Sequence, residues 1–229
     1  MTAAKTSDIY ILGAGHFGMR AADALRRRSP EAAITVVDID KRALKQAADL
    51  GFETAPMDAI SFLLLNEKRM TPDDWIVPAV PIHAAYEWIR QKLRREAKFE
   101  ELAVPEEAEL QLPNPSRGEQ GQVFATNATF TCPDDCPEPE EICTVTGEPR
   151  PQVLCTTLAS MVVPGYRSVG IVSSQMAPGV GGFQLVALRH AMTEITAEPG
   201  KILFSTACKC HGVVQAFEWH PRKANLEDR

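Results

Sequence analysis

The sequence lacks long hydrophobic runs and blocks of basic residues. No stretch approaches the roughly 18 to 20 consecutive apolar residues of a membrane-spanning helix, so direct membrane insertion is not expected. The net charge of −6, with Arg26–Arg28 as the densest basic run, argues against nucleic acid as a partner. No signal-peptide pattern accompanies the first apolar run, which begins at Ile9. A cytoplasmic protein is therefore expected.

Common catalytic signatures are also missing. The sequence contains no G-x-S-x-G elbow, no H-E-x-x-H motif and no Tyr-x-x-x-Lys pair. A glycine-rich segment at residues 177–182 is predicted to be a loop. It lacks the Lys-Ser/Thr of a nucleoside-triphosphate loop, so ATPase chemistry is not expected. The sequence therefore leaves open whether the protein is an enzyme.

The N-terminal residues do contain a strand–glycine–helix pattern. Residues 9–12 form an apolar run of strand length, and apolar residues then recur at helical spacing. Between the two lie Gly13, Gly15 and Gly18, and Asp38 ends the next β-branched run twenty residues after Gly18. Gly13 would permit a tight turn, Gly15 the approach of a pyrophosphate, and Gly18 the close packing of the helix on the sheet. The pattern predicts a dinucleotide-binding loop whose helix N-terminus faces the phosphates.

The acidic residue predicts which dinucleotide binds. A carboxylate at Asp38 would hydrogen-bond the adenosine ribose and repel a 2′-phosphate, which favours NAD(H). Arg42 follows closely and keeps NADP open as an alternative.

The segments YILGAGHFGMRAADAL, ITVVDID and GFETAPMDA resemble the TrkA N-terminal (RCK-type) family, the nucleotide-binding domain of bacterial potassium-uptake regulators. The resemblance covers residues 8–95, and the C-terminal half is not recognised. It implies a domain that binds NAD(H) or an adenine nucleotide, with Asp58 near the adenosine end. The expected dinucleotide-binding residues are Gly13, Gly15, His16, Phe17, Gly18, Asp38 and Asp58.

The remaining chain divides by composition. Residues 96–165 carry more than half of the prolines and four of the six cysteines, without a long periodic helix. Strand and helix patterns return over residues 166–220. We therefore expect an α/β fold: a doubly wound, Rossmann-like parallel sheet with a core at 8–95, a Cys/Pro-rich insertion at 96–165, and elements at 166–220 that complete the sheet. Two sequential domains are the alternative.

Cysteine is absent before residue 132, and the six that follow form two groups. In a reducing compartment such thiols are more often metal ligands or reactive groups than disulfides. Their spacings match neither common zinc ribbons nor ferredoxins, so zinc and an iron–sulfur cluster both stay open. Cys155 lies in an apolar run and suits core packing equally well. The candidate metal ligands are Cys132, Cys136, Cys143, Cys155, Cys208, Cys210 and His211.

Three functions remain open at this stage. The resemblance implies a non-catalytic NAD(H)-binding regulator of potassium uptake, which would have a membrane transporter as its partner. The cysteines favour an NAD(P)-dependent oxidoreductase with iron–sulfur or zinc beside the nicotinamide, acting with a redox partner. The third is a metal-stapled interaction module on a Rossmann core without catalysis. A homodimer is compatible with each.

Overall fold

Residues 7–222 are described by the computed structural model, and β-strands and α-helices alternate through their first part. The elements are β1 (Ile9–Leu12), α1 (His16–Arg28), β2 (Ile34–Asp38), α2 (Lys41–Asp49), β3 (Glu53–Pro56), α3 (Ala59–Asn66), β4 (Trp75–Pro78) and α4 (Ala84–Glu96). Strands β1 to β4 pair in parallel in the order β3-β2-β1-β4. This confirms the predicted Rossmann-like α/β fold.

The strand order reverses between β1 and β4. Strand β2 lies on one side of β1 and strand β4 on the other, so the carboxyl ends of β1 and β4 open a crevice at the sheet's switch point. Pro78 lacks an amide hydrogen, yet it closes β4 opposite Leu12. Because Pro78 is the last paired residue of β4, this sheet position tolerates proline.

The later elements include more strands than helices. They are β5 (Ala97–Leu102), α5 (Glu106–Glu109), β6 (Ser116–Arg117), β7 (Val123–Thr126), α6 (Leu154–Ala159), β8 (Tyr166–Val172), β9 (Ser174–Ala177), β10 (Val180–Gln184), α7 (Leu185–Thr196), β11 (Gly200–Ala207) and β12 (His211–Pro221). The cysteine-rich residues 127–153 contain neither helix nor strand.

The expectation of one continuous sheet was wrong. Only β9 and β10 extend the first sheet, and β10 pairs antiparallel with β4. A second sheet has the order β6-β7-β12-β11-β8, with β5 also paired to β12. The cause is the length of β12, which pairs with β11 along one edge and with β5 and β7 along the other. The second sheet thus draws strands from both the 96–165 segment and the 166–220 segment.

The segment 177–182 was predicted to be a loop, but most of it lies in the β9–β10 hairpin. Gly182 explains the close pairing of β10 with β4, because a Cβ at this position would lie 2.9 Å from the Ile76 carbonyl oxygen. The turn itself contains Pro178 and Gly179, and Gly179 has a left-handed φ of +69°.

Helix α4 packs between the two sheets. Its Tyr86, Trp88 and Ile89 are fully buried, and they share one hydrophobic cluster with Ile76 of β4 and Phe217 of β12. The two sheets are therefore held together by a common core.

His83 lies buried just before α4. Its Nδ1 is 3.0 Å from Gln215 Oε1 and its Nε2 is 2.9 Å from Thr206 Oγ1, while its ring stacks on Phe204. Burial lowers the pKa of His83 from 6.5 to about 3. The imidazole is therefore neutral in the folded protein and joins α4 to β11 and β12.

This burial predicts an acid-sensitive fold. The unfolded chain binds the His83 proton below pH 6.5 while the folded chain binds it only near pH 3, so stability is full above pH 6.5 and falls as the pH drops below it. The expected slope from this group is about 1.4 kcal/mol per pH unit. Urea unfolding at about pH 7 and about pH 5 should show a smaller pH dependence for His83→Gln than for wild type. The exposed His190→Gln is the control, and an unchanged slope in His83→Gln would contradict the prediction.

Candidate functional site

The glycine loop joins β1 to α1, and its three glycines have different surroundings. Gly13 has a φ of +108°, and a Cβ there would lie 2.5 Å from the Ala79 carbonyl oxygen. A Cβ at Gly18 would lie 1.9 Å from the Gly13 carbonyl oxygen. A Cβ at Gly15 would meet no atom within 4 Å. Gly13 and Gly18 are thus required by the fold, whereas the space in front of Gly15 is open.

Asp38 lies at the carboxyl end of β2 and contacts the same loop. Its Oδ2 accepts a hydrogen bond from the Ala14 amide at 2.7 Å, and its Oδ1 accepts one from the Asp40 amide at 2.8 Å. The neighbouring Ile39 is 74% exposed, an unusual exposure for a large apolar side chain. The carboxylate is therefore fixed at the loop with an exposed apolar surface beside it.

Asp58 begins α3 rather than facing the loop. Its carboxylate caps the helix by accepting a hydrogen bond from the Ser61 amide at 2.8 Å. It follows β3, at the same edge of the sheet as Asp38, because the Met57 amide donates to the Asp38 carbonyl oxygen. Capping accounts for Asp58 without a ligand.

A cavity of about 530 Å³ occupies the crevice between β1 and β4, and we call it the switch-point cavity. It lies where the strand order predicts a ligand site, and its volume is within the range of small-molecule pockets. Gly15 and the first turn of α1 form one wall and the end of β4 the other. The lining includes Gly15, His16, Phe17, Pro78, Ala79 and Gly181.

Four cysteines line a second cavity of about 310 Å³, which we call the thiol cavity. Three come from residues 127–153, which we call the cysteine segment, and one comes from the β11–β12 turn. They are Cys132, Cys136, Cys143 and Cys210. Burial raises the pKa of the Cys132 thiol, and the thiolates of the other three raise it further. All six cysteines are free thiols. In residues 7–222, no group of three or more His, Cys, Asp or Glu side chains is arranged to hold a metal ion.

The sulfur atoms of three cysteines accept hydrogen bonds. Backbone amides of Val145 and Thr146 lower the pKa of Cys143. The Cys208 Sγ accepts hydrogen bonds from the Cys210 and His211 amides at 3.4 and 3.3 Å. Arg150 Nε donates to Cys210 Sγ at 3.0 Å.

The thiols differ in their other neighbours. Burial, followed by a hydrogen bond with Glu138, raises the pKa of Cys208 to about 12, so this thiol stays protonated. His211 Nε2 is 3.6 Å from Cys132 Sγ, and burial lowers the pKa of His211. Cys155 lies outside the thiol cavity and packs against the apolar cluster of the second sheet, as the core interpretation predicted.

A third cavity of about 390 Å³ shares walls with the other two, and we call it the bridging cavity. Phe17 and Gly181 belong to both this cavity and the switch-point cavity. Cys132, Cys136 and Cys210 belong to both this cavity and the thiol cavity. The glycine loop and the cysteines are therefore neighbours.

The cysteine segment also contacts α1 directly. His16 Nε2 is 3.2 Å from Asp134 Oδ2, and Arg20 donates a hydrogen bond to the Asp134 carbonyl oxygen. The Cys136 carbonyl oxygen accepts a hydrogen bond from the Gly179 amide at 2.9 Å. The segment between Cys132 and Cys136 is thus fixed against the first turns of α1 and the β9–β10 turn.

Sequence reasoning did not identify Arg150 or Glu138 as part of this region. Both lie in the cysteine segment, where no periodicity in the sequence shows which side chains point inward. A Pro–Arg–Pro sequence at residues 149–151 and a Pro–Glu–Pro sequence at 137–139 were the available signals, because flanking prolines restrict the backbone.

Comparison with known proteins identifies two regions in the chain. Residues 9–89 match the TrkA-N domain, which confirms the family predicted for the N-terminal part. Residues 85–220 match the AF_1314_C model, described as "Uncharacterized protein, C-terminal domain".

A relative matches most of the chain. The chain is 26% identical over 226 residues to an "Uncharacterized protein" of Archaeoglobus fulgidus, and the match covers 91% of this chain and 98% of the relative. No solved structure matches the chain. In residues 7–222, no helix is long and apolar enough to cross a membrane. Since the AF_1314_C match spans more than half of the sequence, the chain belongs to that family, with a TrkA-N domain preceding the family's C-terminal domain.

Proposed function

We propose that the protein binds NAD(H) in the switch-point cavity. The observation that carries this proposal is the open space in front of Gly15, in a loop whose other two glycines are confined by backbone atoms. The TrkA-N match supports it, because TrkA-N domains generally bind NAD(H). The first turn of α1 contains no acidic residue that would compete with a phosphate for the helix N-terminus.

The contacts at the loop set the orientation of the ligand in this proposal. The pyrophosphate lies at Gly15 and the amides of the first turn of α1, and the adenosine ribose lies at Asp38. Ile39 offers apolar surface to the adenine. The nicotinamide then extends past the end of β4 toward Gly181, which lines the far wall of the cavity.

Asp38 should determine the choice between NAD and NADP. Asp38→Asn removes the charge that repels a 2′-phosphate, so the ratio of NAD to NADP affinity should fall by about tenfold or more, roughly 1.4 kcal/mol. Calorimetric titration of both cofactors measures this ratio, and thermal unfolding checks that the loop stays folded.

Asp40→Asn is the matched control, because Asp40 carries the same charge but caps α2 through the Arg42 amide. The ratio should change little in this variant. An equal change in the two variants would assign discrimination to the general charge of the region and not to Asp38.

The regulatory role that the resemblance implies requires NAD(H) binding but no catalysis. In this proposal the protein senses NAD(H), and the cysteine segment transmits the bound state because it contacts His16 and Arg20 on α1. The process regulated would be potassium transport, and the partner would be a membrane transporter.

A second candidate function is an NAD(P)-dependent oxidoreductase. The observation that favours it is the bridging cavity, since Phe17 and Gly181 separate the proposed nicotinamide position from the thiols. Anaerobic assay of NADH oxidation with an artificial electron acceptor tests this function. Oxidation that is lost in Cys132→Ser favours the enzyme, and binding without oxidation favours the regulator.

A further inference from the structure

We propose that Cys132, Cys136, Cys143 and Cys210 together bind a metal centre in the thiol cavity, either zinc or an iron–sulfur cluster. Both are held by cysteine thiolates, so the ligand chemistry is shared. This inference does not depend on NAD(H) binding, and it can hold if no dinucleotide binds.

Convergence from distant parts of the chain is the first support. Three of the thiols come from residues 132–143, whereas Cys210 comes from the turn between β11 and β12. The four line one cavity of about 310 Å³, and all four are free thiols. Chance burial of small apolar side chains does not explain this grouping, because residues 127–153 lack the helix or strand periodicity of a core.

Local backbone geometry is the second support. Cys143 lies in a hydrogen-bonded turn: its amide donates to the Glu148 carbonyl oxygen at 2.8 Å, and the Gly147 amide, with Gly147 at φ +71°, donates to the Cys143 carbonyl oxygen at 2.8 Å. Arg150 places a positive charge 3.0 Å from the Cys210 sulfur and also donates to the carbonyl oxygens of Pro139 and Glu140. The guanidinium therefore orders the segment around the cavity.

The other two cysteines have different environments. Cys155 packs against the apolar cluster of the second sheet. Cys208 lines the bridging cavity, and its Sγ accepts hydrogen bonds from the Cys210 and His211 amides. Neither lines the thiol cavity, which makes Cys155→Ser and Cys208→Ser matched controls for serine at the four ligands.

Metal binding should be coupled to local folding. The four thiols border the cavity without forming a group arranged for one ion, so the metal would draw them together. Residues 127–153 contain no helix or strand, only an isolated antiparallel bridge between Ile142 and Pro149, and bound metal would then supply part of the free energy that orders them.

The test is metal content of the full chain after anaerobic purification, followed by chelation and reloading with Zn²⁺ alone or with ferrous iron and sulfide. Near-stoichiometric uptake is expected. Zinc would leave the protein colourless, while a cluster would absorb near about 400 nm and release acid-labile sulfide. Serine at any of the four ligands should reduce bound metal by about tenfold or more, and the two control variants should keep it.

Thiol labelling of the wild-type chain provides a second readout that does not require a variant to fold. Mass spectrometry after alkylation, with and without metal, should show protection of the four proposed ligands and unchanged labelling of Cys155. Failure to take up zinc or iron under any of these conditions would overturn the proposal. Protection of Cys208 in place of Cys143 would overturn the ligand assignment.

Discussion

Gly15→Val is expected to abolish NAD(H) binding while the protein remains folded. The backbone at Gly15 has φ −73° and ψ −170°, an extended conformation that valine adopts readily. Its Cβ would meet no protein atom within 4 Å, so the substitution costs little in folding. The valine methyl groups would instead fill the space proposed for the pyrophosphate. Calorimetry should show affinity reduced by at least about 100-fold, roughly 2.7 kcal/mol.

Gly15→Ala is the graded control for this prediction. A single methyl group enters the same space, so the loss of affinity should be smaller than with valine. Circular dichroism and thermal unfolding should be near wild type for both variants. Equal NAD(H) affinity in wild type and Gly15→Val would remove the glycine loop from the binding site.

Gly18→Ala is expected to have the opposite effect and destabilise the fold. A Cβ at this position would lie 1.9 Å from the Gly13 carbonyl oxygen and 2.8 Å from its carbonyl carbon. Because these are backbone atoms, no side-chain rotation relieves the overlap, and α1 must move away from β1. We expect a loss of about 3 kcal/mol in the free energy of unfolding, at the upper end of overpacking effects.

Urea unfolding measures this loss, with Gly15→Ala as the comparison in the same loop. The two substituted glycines are only three residues apart in the chain, but only Gly18→Ala should lower the urea midpoint of unfolding strongly. Similar midpoints for both would show that α1 accommodates the extra methyl group, and the packing role of Gly18 would be wrong.

The nucleotide-binding part of the fold was predictable because its signals are local. The glycine spacing, the strand before it and the acidic residue that ends β2 lie within about thirty residues and obey strong steric rules. Pro78 also fitted the sequence, since a strand that ends at this residue needs no further amide. The predicted roles of Gly13 and Gly18 match the atoms that a Cβ would meet.

The second sheet was not predictable from the same kind of signal. Strand β12 pairs with β5, which lies more than one hundred residues earlier in the chain, and apolar periodicity does not specify a partner. The hairpin at residues 174–184 was missed because glycines usually indicate a loop, whereas Gly182 here allows β10 to lie close to β4.

The sequence identified the cysteines as candidate metal ligands but did not show which of them lie together in the fold. The sequence left seven candidate ligands, and no spacing rule separated Cys143 from Cys155. The thiol cavity groups Cys143 with Cys210, which are joined only by tertiary structure. Arg150 beside Cys210 is likewise a tertiary contact that no local pattern indicates.

Hydrogen exchange with and without NADH locates the bound nucleotide on the unmodified chain. If NADH binds at the glycine loop, exchange of the amides in residues 13–20 and 38–40, which surround Gly15 and Asp38, should slow. Protection at these residues should disappear in Gly15→Val. Unchanged exchange of these amides at saturating NADH, or protection of residues 127–153 alone, would show that the glycine loop does not bind the nucleotide.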